Sequence, residues 1–142
     1  DHVIVSNPSK PTFDQTFKGE LKKSPALRDS AVNLERYRQA ITVYDQKMKD
    51  VGESDILLSK IDVLHRKLKE FDKAKRFLEA AYKMNNKNRF VILNLAMVYG
   101  AMHQYSDAME WVDNGLALYK GDSEFIALKK KCHQKIVELN SL

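Results

Sequence analysis

Cysteine, proline and glycine are all scarce in this sequence of 142 residues. A single cysteine, Cys132, excludes an internal disulfide framework. Five glycines and three prolines are few for a fold that needs many tight turns. No apolar run approaches the roughly 20 residues that a membrane-spanning helix requires, and no segment resembles a signal peptide. We therefore expect one domain of long helices rather than strands joined by hairpins.

Motifs that carry a known chemistry are also missing. No two of the four histidines stand at the i, i+4 spacing that puts two metal ligands on one helix face. Neither a GxGxxG fingerprint nor a GxxxxGKS or GxxxxGKT phosphate loop occurs. Cys132 and His133 are adjacent, so on a helix they diverge and make a poor nucleophile and base. We expect a protein that is not an enzyme and has no metal and no cofactor.

The net charge of +5 is distributed unevenly along the chain. Lys and Arg against Asp and Glu count 9 against 8 over residues 1–54, 9 against 5 over 55–88, and 6 against 6 over 89–142. A basic patch in the middle segment favours an acidic partner. In the alternative interpretation, these basic residues only line the solvent-exposed outer face of a helix. That interpretation concerns Lys73, Lys75, Arg76 and Lys83.

What the sequence does contain is a period of 34 residues. An aromatic residue followed three positions later by alanine occurs three times at this interval, in the pairs Tyr37 and Ala40, Phe71 and Ala74, Tyr105 and Ala108. A fixed period of this length is typical of a solenoid, in which each unit is a helical hairpin that buries its apolar face by stacking on its neighbours. The expected fold is all-α, a right-handed α-solenoid of antiparallel helical hairpins.

The period divides the chain into predicted segments. We expect an extended or irregular arm at 1–20, three repeats at 21–54, 55–88 and 89–122, and a C-terminal capping helix at 123–142. Helices are predicted at about 25–35, 37–50, 55–68, 71–84, 89–102, 105–118 and 122–139. Gly52 and Gly121 can take the left-handed conformation after a helix, and Asp55, Asn88 and Asp122 can cap the next one.

The repeat resembles the tetratricopeptide repeat (TPR). The third repeat fits the pattern of that family best, with Ile92, Leu95, Ala96, Tyr99, Tyr105, Ala108 and Leu116. The second fits with Leu58, Ile61, Phe71, Ala74, Leu78 and Ala81, although Asp62 and His65 replace a small residue and an aromatic one. The first is the weakest and keeps Leu27, Tyr37, Ala40 and Tyr44. The resemblance implies that the alanines allow close helix approach and that the aromatics are packing residues.

The resemblance also implies a binding surface, since in this architecture the first helix of each repeat lines a concave face. Phe90, Leu93 and Met97 form an apolar stripe at positions that the core does not require, and Ile56 and Val63 form a similar one. The predicted peptide-binding groove consists of Ile56, Ser59, Lys60, Val63, Lys67, Phe90, Leu93, Asn94, Met97, Ala101 and Lys131.

An apolar groove edged by lysines suits a protein or peptide with apolar anchors and some acidic residues, bound as a helix or as an extended chain. Methionine favours adaptable binding because its thioether is flexible. Two alternatives stay open: the apolar residues pack against one another, or residues 1–20 occupy the groove or lie elsewhere. Nucleic acid is not expected as a partner, since the predicted face is apolar rather than basic and stacked.

Some TPR domains hold the acidic C-terminal tails of heat-shock chaperones in a clamp for two carboxylates. When the clamp is started at the second repeat, its five positions hold Ser59, Val63, Asn94, Glu124 and Leu128, of which only Asn94 matches. When it is started at the first repeat, no position matches. A standard clamp is therefore not expected.

The sequence predicts a non-catalytic protein-interaction module, an adaptor or an assembly subunit. One alternative is a small secretion-type TPR chaperone that cradles a client, and another is a scaffold that self-associates through an exposed end or a swapped arm. No direct membrane contact is expected. Because the chain begins at Asp1, we expect a processed product or a fragment. The cytoplasm is favoured, and a periplasmic or secreted location stays open.

Overall fold

A computed structural model describes residues 25–142, with side chains described from residue 30 onward. All regular structure in this part of the chain is helical: α1 Pro25–Val51, α2 Asp55–Lys67, α3 Phe71–Met84, α4 Arg89–Ala101, α5 Tyr105–Leu118 and α6 Ser123–Asn140. The prediction of an all-α helical repeat is thereby confirmed. The arm predicted at 1–20 lies outside the described residues.

The helix ends follow from local chemistry. The side chains of Asn88 and Asp122 accept hydrogen bonds from the first backbone N–H groups of α4 and α6, as the sequence predicts. Ser54 caps α2 instead of Asp55, because its hydroxyl accepts from the N–H of Leu57. Gly52 and Gly121 follow α1 and α5 with φ of 87° and 77°, the left-handed region that glycine enters without strain.

The prediction of two helices at 25–35 and 37–50 is wrong. The structure has one continuous helix over these residues, so the first repeat does not form a hairpin. In the two hairpins that do form, the turn residues Lys69 and His103 both have φ of 61°, which is unfavourable for a residue with a Cβ atom. The equivalent residue 34 positions earlier is Glu35, which stays helical.

The second repeat has a side-chain contact across its turn that the first repeat lacks. His65 Nδ1 lies 2.8 Å from a Glu70 carboxylate oxygen, and this hydrogen bond holds the pKa of Glu70 below its usual value. The equivalent positions 34 residues earlier hold Ala31 and Arg36, which cannot form such a bond. The third repeat has Tyr99 and Gln104 at these positions and forms its hairpin without this bond, so the contact is specific to the second repeat.

The remaining helices stack in two layers. α2 pairs with α3 and α4 pairs with α5, while α2 also contacts α4, and α4 contacts α6. Helices α2, α4 and α6 therefore form one layer, and α3 and α5 form the other. Among the described helices, α1 contacts only α2. The layer of α2, α4 and α6 presents the face on which the predicted groove lies, and we call it the groove face.

Two apolar clusters hold the layers together. The first joins α2, α3 and α4 through Leu58, Ala74, Leu78, Ala81, Val91, Leu95 and Val98. The second joins α4, α5 and α6 through Ile92, Leu93, Ala96, Val112 and Phe125. Ala74 and Ala108 are fully buried, as their role in close helix packing requires, whereas Ala40 is only half-buried because it has no hairpin partner. Phe71, Tyr99 and Trp111 pack against the first cluster, which confirms their structural role.

Candidate functional site

Most of the predicted groove residues are exposed on the groove face. Exposed side chains come from each of its helices: Ile56, Lys60 and Lys67 on α2, Phe90, Met97 and Ala101 on α4, and Lys131 on α6. Three further ones, Ser59, Val63 and Asn94, are half-buried. Among the large apolar side chains of the predicted groove, those of Ile56 and Phe90 are the most exposed, at 58% and 63%, and both lie in the first turn of their helices.

Leu93 is the exception, and the expectation that the core does not require it is wrong. Its side chain is only 6% exposed and belongs to the second apolar cluster, where it packs with Val112 and Phe125. The reason is the packing of α6 against both α4 and α5, which makes a core between three helices rather than two. Leu93 is therefore a packing residue, and Phe90 and Met97 do not continue through it as an exposed stripe.

Part of the groove face forms a cavity of about 460 Å³ between α4 and α6. Three predicted groove residues meet there, Met97, Ala101 and Lys131. The cavity is also lined by Gly100, His103, Tyr105, Leu128, Cys132 and Lys135. Among these described residues there are two lysines and no carboxylate. The arrangement can accept an apolar side chain and can attract a negative charge beside it.

The sequence interpretation did not include the cavity residues that lie on the turn after α4 and on the far part of α6. His103 has a φ of 61° in that turn, and its Nδ1 lies 2.8 Å from the Tyr105 hydroxyl. Lys135 follows Lys131 by four residues, which places both on one face of α6. That spacing was a signal in the sequence that could have identified Lys135. The position of His103 depends on the turn and had no such signal.

Cys132 forms part of the cavity wall but is not a reactive group. Its side chain is 2% exposed, and burial raises the pKa of its thiol. A protonated, buried thiol behaves as a small apolar residue rather than as a nucleophile. The described residues also contain no group of three or more His, Cys, Asp or Glu side chains that could hold a metal ion.

Asn94, at the centre of the groove face, forms a side-chain hydrogen bond that links two helices. Its side-chain amide donates to a carboxylate oxygen of Asp62 at 3.2 Å and so ties α4 to α2. Asp62 is fully buried, and Arg66 donates to it from Nε at 3.0 Å. Burial raises the pKa of Asp62 to about 6, although the Arg66 guanidinium and the Asn94 amide oppose the shift. Asp62, which departs from the small residue of the TPR pattern, is thus an internal link between two helices.

An ion cluster lies at the end of the groove face beside Phe90. Arg89 donates to Asp122 from Nε at 2.6 Å and to Glu124 at 2.7 Å, and its guanidinium lies 5.4 Å from the centre of the Phe90 ring. The hydrogen bond from Arg89 is the main cause that lowers the pKa of Asp122 to about 2. Sequence reasoning missed this cluster, because the partners are 33 and 35 residues apart.

The two lysines of α2 differ in their surroundings. Lys67 lies at the end of the helix, and its ammonium is 5.5 Å from the centre of the Tyr37 ring on α1. Lys60 is exposed near the middle of the helix. In the basic middle segment, Lys75 lies 5.2 Å from the centre of the Tyr99 ring, so this lysine supports the packing of α3 on α4. Lys67 and Lys75 therefore each contact an aromatic residue of a neighbouring helix.

None of the five clamp positions offers a free hydrogen-bonding side chain of the clamp pattern, and three of them already bond other groups. Ser59 donates its hydroxyl to the carbonyl of Ile56, Asn94 donates to Asp62, and Glu124 accepts from Arg89. Val63 and Leu128 have no hydrogen-bonding side chain. The single residue that matches the clamp pattern, Asn94, is thus already committed to the α2–α4 link.

A second cavity, of about 740 Å³, lies away from the groove face between α1, α2 and α3. Its floor is apolar, and its charged groups have both signs, with Arg38, Lys73 and Arg76 facing Asp45, Glu53 and Glu70. Arg38 and Glu70 are hydrogen-bonded at 3.3 Å. The cavity separates α1 from α3. No described helix is long and apolar enough to cross a membrane.

Comparison with known proteins agrees with this geometry. Residues 65–132, from the end of α2 to α6, match the sequence model of the tetratricopeptide repeat. No curated protein sequence matches the chain. The match leaves out α1, where the hairpin of the first repeat is not formed.

Solved structures of TPR domains are similar to the chain over most of their length. The TPR domain of Sgt2 from Aspergillus fumigatus superposes with a TM-score of 0.69 at 20% identity, covering 96% of this chain and 88% of that one. The first TPR domain of Spaghetti (RPAP3), bound to the HSP90 peptide SRMEEVD, gives 0.68 at 17%, covering 87% and 93%.

The second TPR domain of human RPAP3, in complex with the HSP70 peptide SGPTIEEVD, gives a TM-score of 0.64 at 12% identity, covering 84% and 92%. At such identities the similarity concerns the fold. Residues 65–132 match the tetratricopeptide repeat in sequence and the chain has the fold of a TPR domain, so the resemblance predicted from the sequence is confirmed.

Proposed function

We propose that this TPR domain is a non-catalytic protein-interaction module that binds a peptide segment along its groove face, as an adaptor or an assembly subunit. The observation that carries the proposal is the cavity between α4 and α6, where Met97, Ala101 and Lys131 meet. An apolar wall that contains a flexible methionine accepts apolar anchors of different shapes. The lysines beside it favour a partner with a carboxylate near that anchor.

The solved relatives support a peptide as the ligand class. The Spaghetti and RPAP3 domains are described in complex with peptides that end in EEVD, so their fold can present a face to an acidic segment. In this chain four of the five clamp positions do not match, and the fifth, Asn94, already bonds Asp62. We therefore propose that the acidic groups of its partner lie within the bound segment and that a free terminal carboxylate is not needed.

The extent of the site follows from exposure. Phe90 at one end of α4 and Met97 near the other are 63% and 42% exposed, and they are seven residues apart. A helix rises about 1.5 Å per residue, so the two side chains are separated by roughly 10 Å along α4. A segment with two apolar anchors can contact both, and truncation of a central anchor contact at an interface costs about 1–2 kcal/mol.

The experiment is a selection of binding peptides from a random displayed library on the wild-type domain, followed by affinity measurement with one labelled peptide. We expect selected sequences to be enriched in an apolar residue beside Asp or Glu. Met97→Ala should weaken binding roughly 5- to 30-fold, which corresponds to about 1–2 kcal/mol. Lys131→Glu should weaken it at least as much, because it reverses a charge at the cavity.

Matched controls come from the same helices. Lys130→Glu makes the same charge change at the neighbouring exposed residue, which does not line the cavity, and should leave binding unchanged. Amidation of the peptide carboxyl terminus should also have no effect. If the selected peptides show no such enrichment, or if they bind the Met97 and Lys131 variants as tightly as the wild type, the proposal is wrong.

A further inference from the structure

The N-terminal half of α1 extends past the helix on which α1 packs. α1 has 27 residues and α2 has 13, or about 40 Å against about 20 Å. The two helices are antiparallel and joined at residues 52–54. At the other end of α2, Lys67 lies over the Tyr37 ring and Arg38 bonds Glu70. Residues 25–36 therefore lie beyond the α2–α3 turn.

If residues 25–36 folded back on residues 37–51 as a closed hairpin, they would cover a face of α2. In the structure this face is only partly covered. On α4, Val91 and Val98 are fully buried, because both helices of the preceding repeat cover them. The residues 34 positions earlier on α2 are Leu57 and Leu64, and they are only half-buried. Among the described residues, α2 packs on one preceding helix, the C-terminal half of α1, whereas α4 packs on two. We call the uncovered face beside Leu57 and Leu64 the first-helix seat.

The closed hairpin is opposed by its own turn. It would place Glu35 where Lys69 and His103 stand, and both of those residues have φ of 61°. Glu35 has a Cβ atom that makes this conformation unfavourable, and none of the described side chains of α1 is buried, so packing of α1 does not offset the strain. Residues 25–36 therefore remain in line with the rest of α1, although their register is that of a first helix.

We infer that this segment fills the first-helix seat of a second copy of the chain. Residues 25–36 of each copy would lie antiparallel to residues 37–51 of the other and cover Leu57 and Leu64 there. The exchange is reciprocal, so it closes into a symmetric dimer and uses the same packing as a closed hairpin without the strained turn. Leu34, which is 42% exposed on the extending half, offers apolar surface for it. This dimer involves the first repeat and goes beyond the proposed peptide site.

The test compares the hinge variant Glu35→Gly with Glu35→Ala by size-exclusion chromatography and light scattering over a range of concentrations. Glycine enters positive φ freely, so it relieves the turn and favours the closed monomer, whereas alanine favours the continuous helix. We expect the wild type and Glu35→Ala to dimerise and Glu35→Gly to show a dimer dissociation constant at least tenfold higher. Circular dichroism should show similar melting temperatures for the two variants.

If Glu35→Gly fails to fold, a second variant tests the same hinge. Insertion of Gly-Ser after Glu35 lengthens the hinge without removing any packing residue, and it should also shift the population towards monomer. The inference is overturned if the wild type stays monomeric at the highest concentration, as it would if residues 1–24 filled the seat. It is equally overturned if both hinge variants dimerise as strongly as Glu35→Ala, since the contact would then use another surface.

Discussion

The two ends of this molecule share a 34-residue period and yet fold differently. Each helix from α2 to α6 contributes buried residues to at least one of the two apolar clusters. The contribution of α6 is Phe125, in the second cluster. In α1, none of the described side chains is buried. The difference teaches that a hairpin with a strained turn forms only where packing offsets the strain. An aromatic and an alanine at the right spacing are not sufficient.

The largest expected effect contrasts a core residue of α6 with an apolar residue of α1. Phe125 is fully buried, and Phe125→Ala should lower the free energy of unfolding by about 3–5 kcal/mol, because it leaves a cavity in the second cluster. Val43, on α1, is 65% exposed, and Val43→Ala should change stability by less than about 0.5 kcal/mol. Urea unfolding of both variants measures the contrast, and similar losses would mean that α1 belongs to the same core.

The next largest expected effect is a pH dependence of the unfolding free energy, caused by the buried Asp62 in α2. Burial raises the pKa of Asp62 to about 6 from the ordinary 3.8, so the folded state binds the proton more tightly than the unfolded state. The stabilisation is complete below the unfolded value and is lost as the pH rises through about 6. Between pH 7 and pH 4 the wild type should gain up to about 3 kcal/mol relative to Asp62→Asn.

The measurement is the difference in unfolding free energy between the wild type and Asp62→Asn at several pH values. The difference cancels the titration of other carboxylates, such as Glu70, whose pKa is lowered by its hydrogen bond to His65 and which acts in the opposite direction. A difference that does not vary with pH would show that the Asp62 carboxylate is solvated. It would also remove the electrostatic argument for the link between α2 and Asn94.

A third prediction uses two helical glycines with different surroundings. A Cβ atom on Gly115 would lie 2.4 Å from the Phe125 ring, so Gly115→Ala should cost about 1–3 kcal/mol by overpacking. A Cβ atom on Gly100 would meet nothing within 4 Å, and Gly100→Ala should stabilise the fold by about 0.4–1 kcal/mol. Thermal unfolding of the two variants should therefore shift in opposite directions. Equal shifts would contradict the close approach of α5 and α6.

Much of the fold could be predicted from the sequence, because its period fixes the register. The ends of α3 and α5, the caps at Asn88 and Asp122 and the burial of Ala74 and Ala108 all follow from local patterns. The continuous α1 could not be predicted in the same way. Its outcome depends on whether a strained turn at Glu35 is supported by contacts with residues that are distant in the chain.

The candidate site was predictable only to the level of a face. The register of the repeat correctly predicted that Phe90 and Met97 are exposed, but it also predicted an exposed Leu93. The pattern of a single helix cannot show that α6 covers Leu93. The cavity depends on the angle between α4 and α6 and on the turn at His103. The assignment of these residues to a peptide site stays a prediction until binding is measured.

The smallest predicted effect concerns the attachment of α1 itself. Arg38 bonds Glu70 at 3.3 Å, with side chains that are 58% and 23% exposed, so solvent screens the pair. Arg38→Gln should therefore lower the global free energy of unfolding by only about 0.2–1 kcal/mol. Local opening is a sharper readout, because a weakly packed element exchanges its amide hydrogens without global unfolding. We expect faster hydrogen exchange in α1 and unchanged exchange in α4, with Arg36→Gln, which changes a neighbouring exposed arginine, as the matched control. Slower exchange in α1 than in α4 would contradict the contrast between the two ends, since α1 would then be held by contacts stronger than those that the described residues provide.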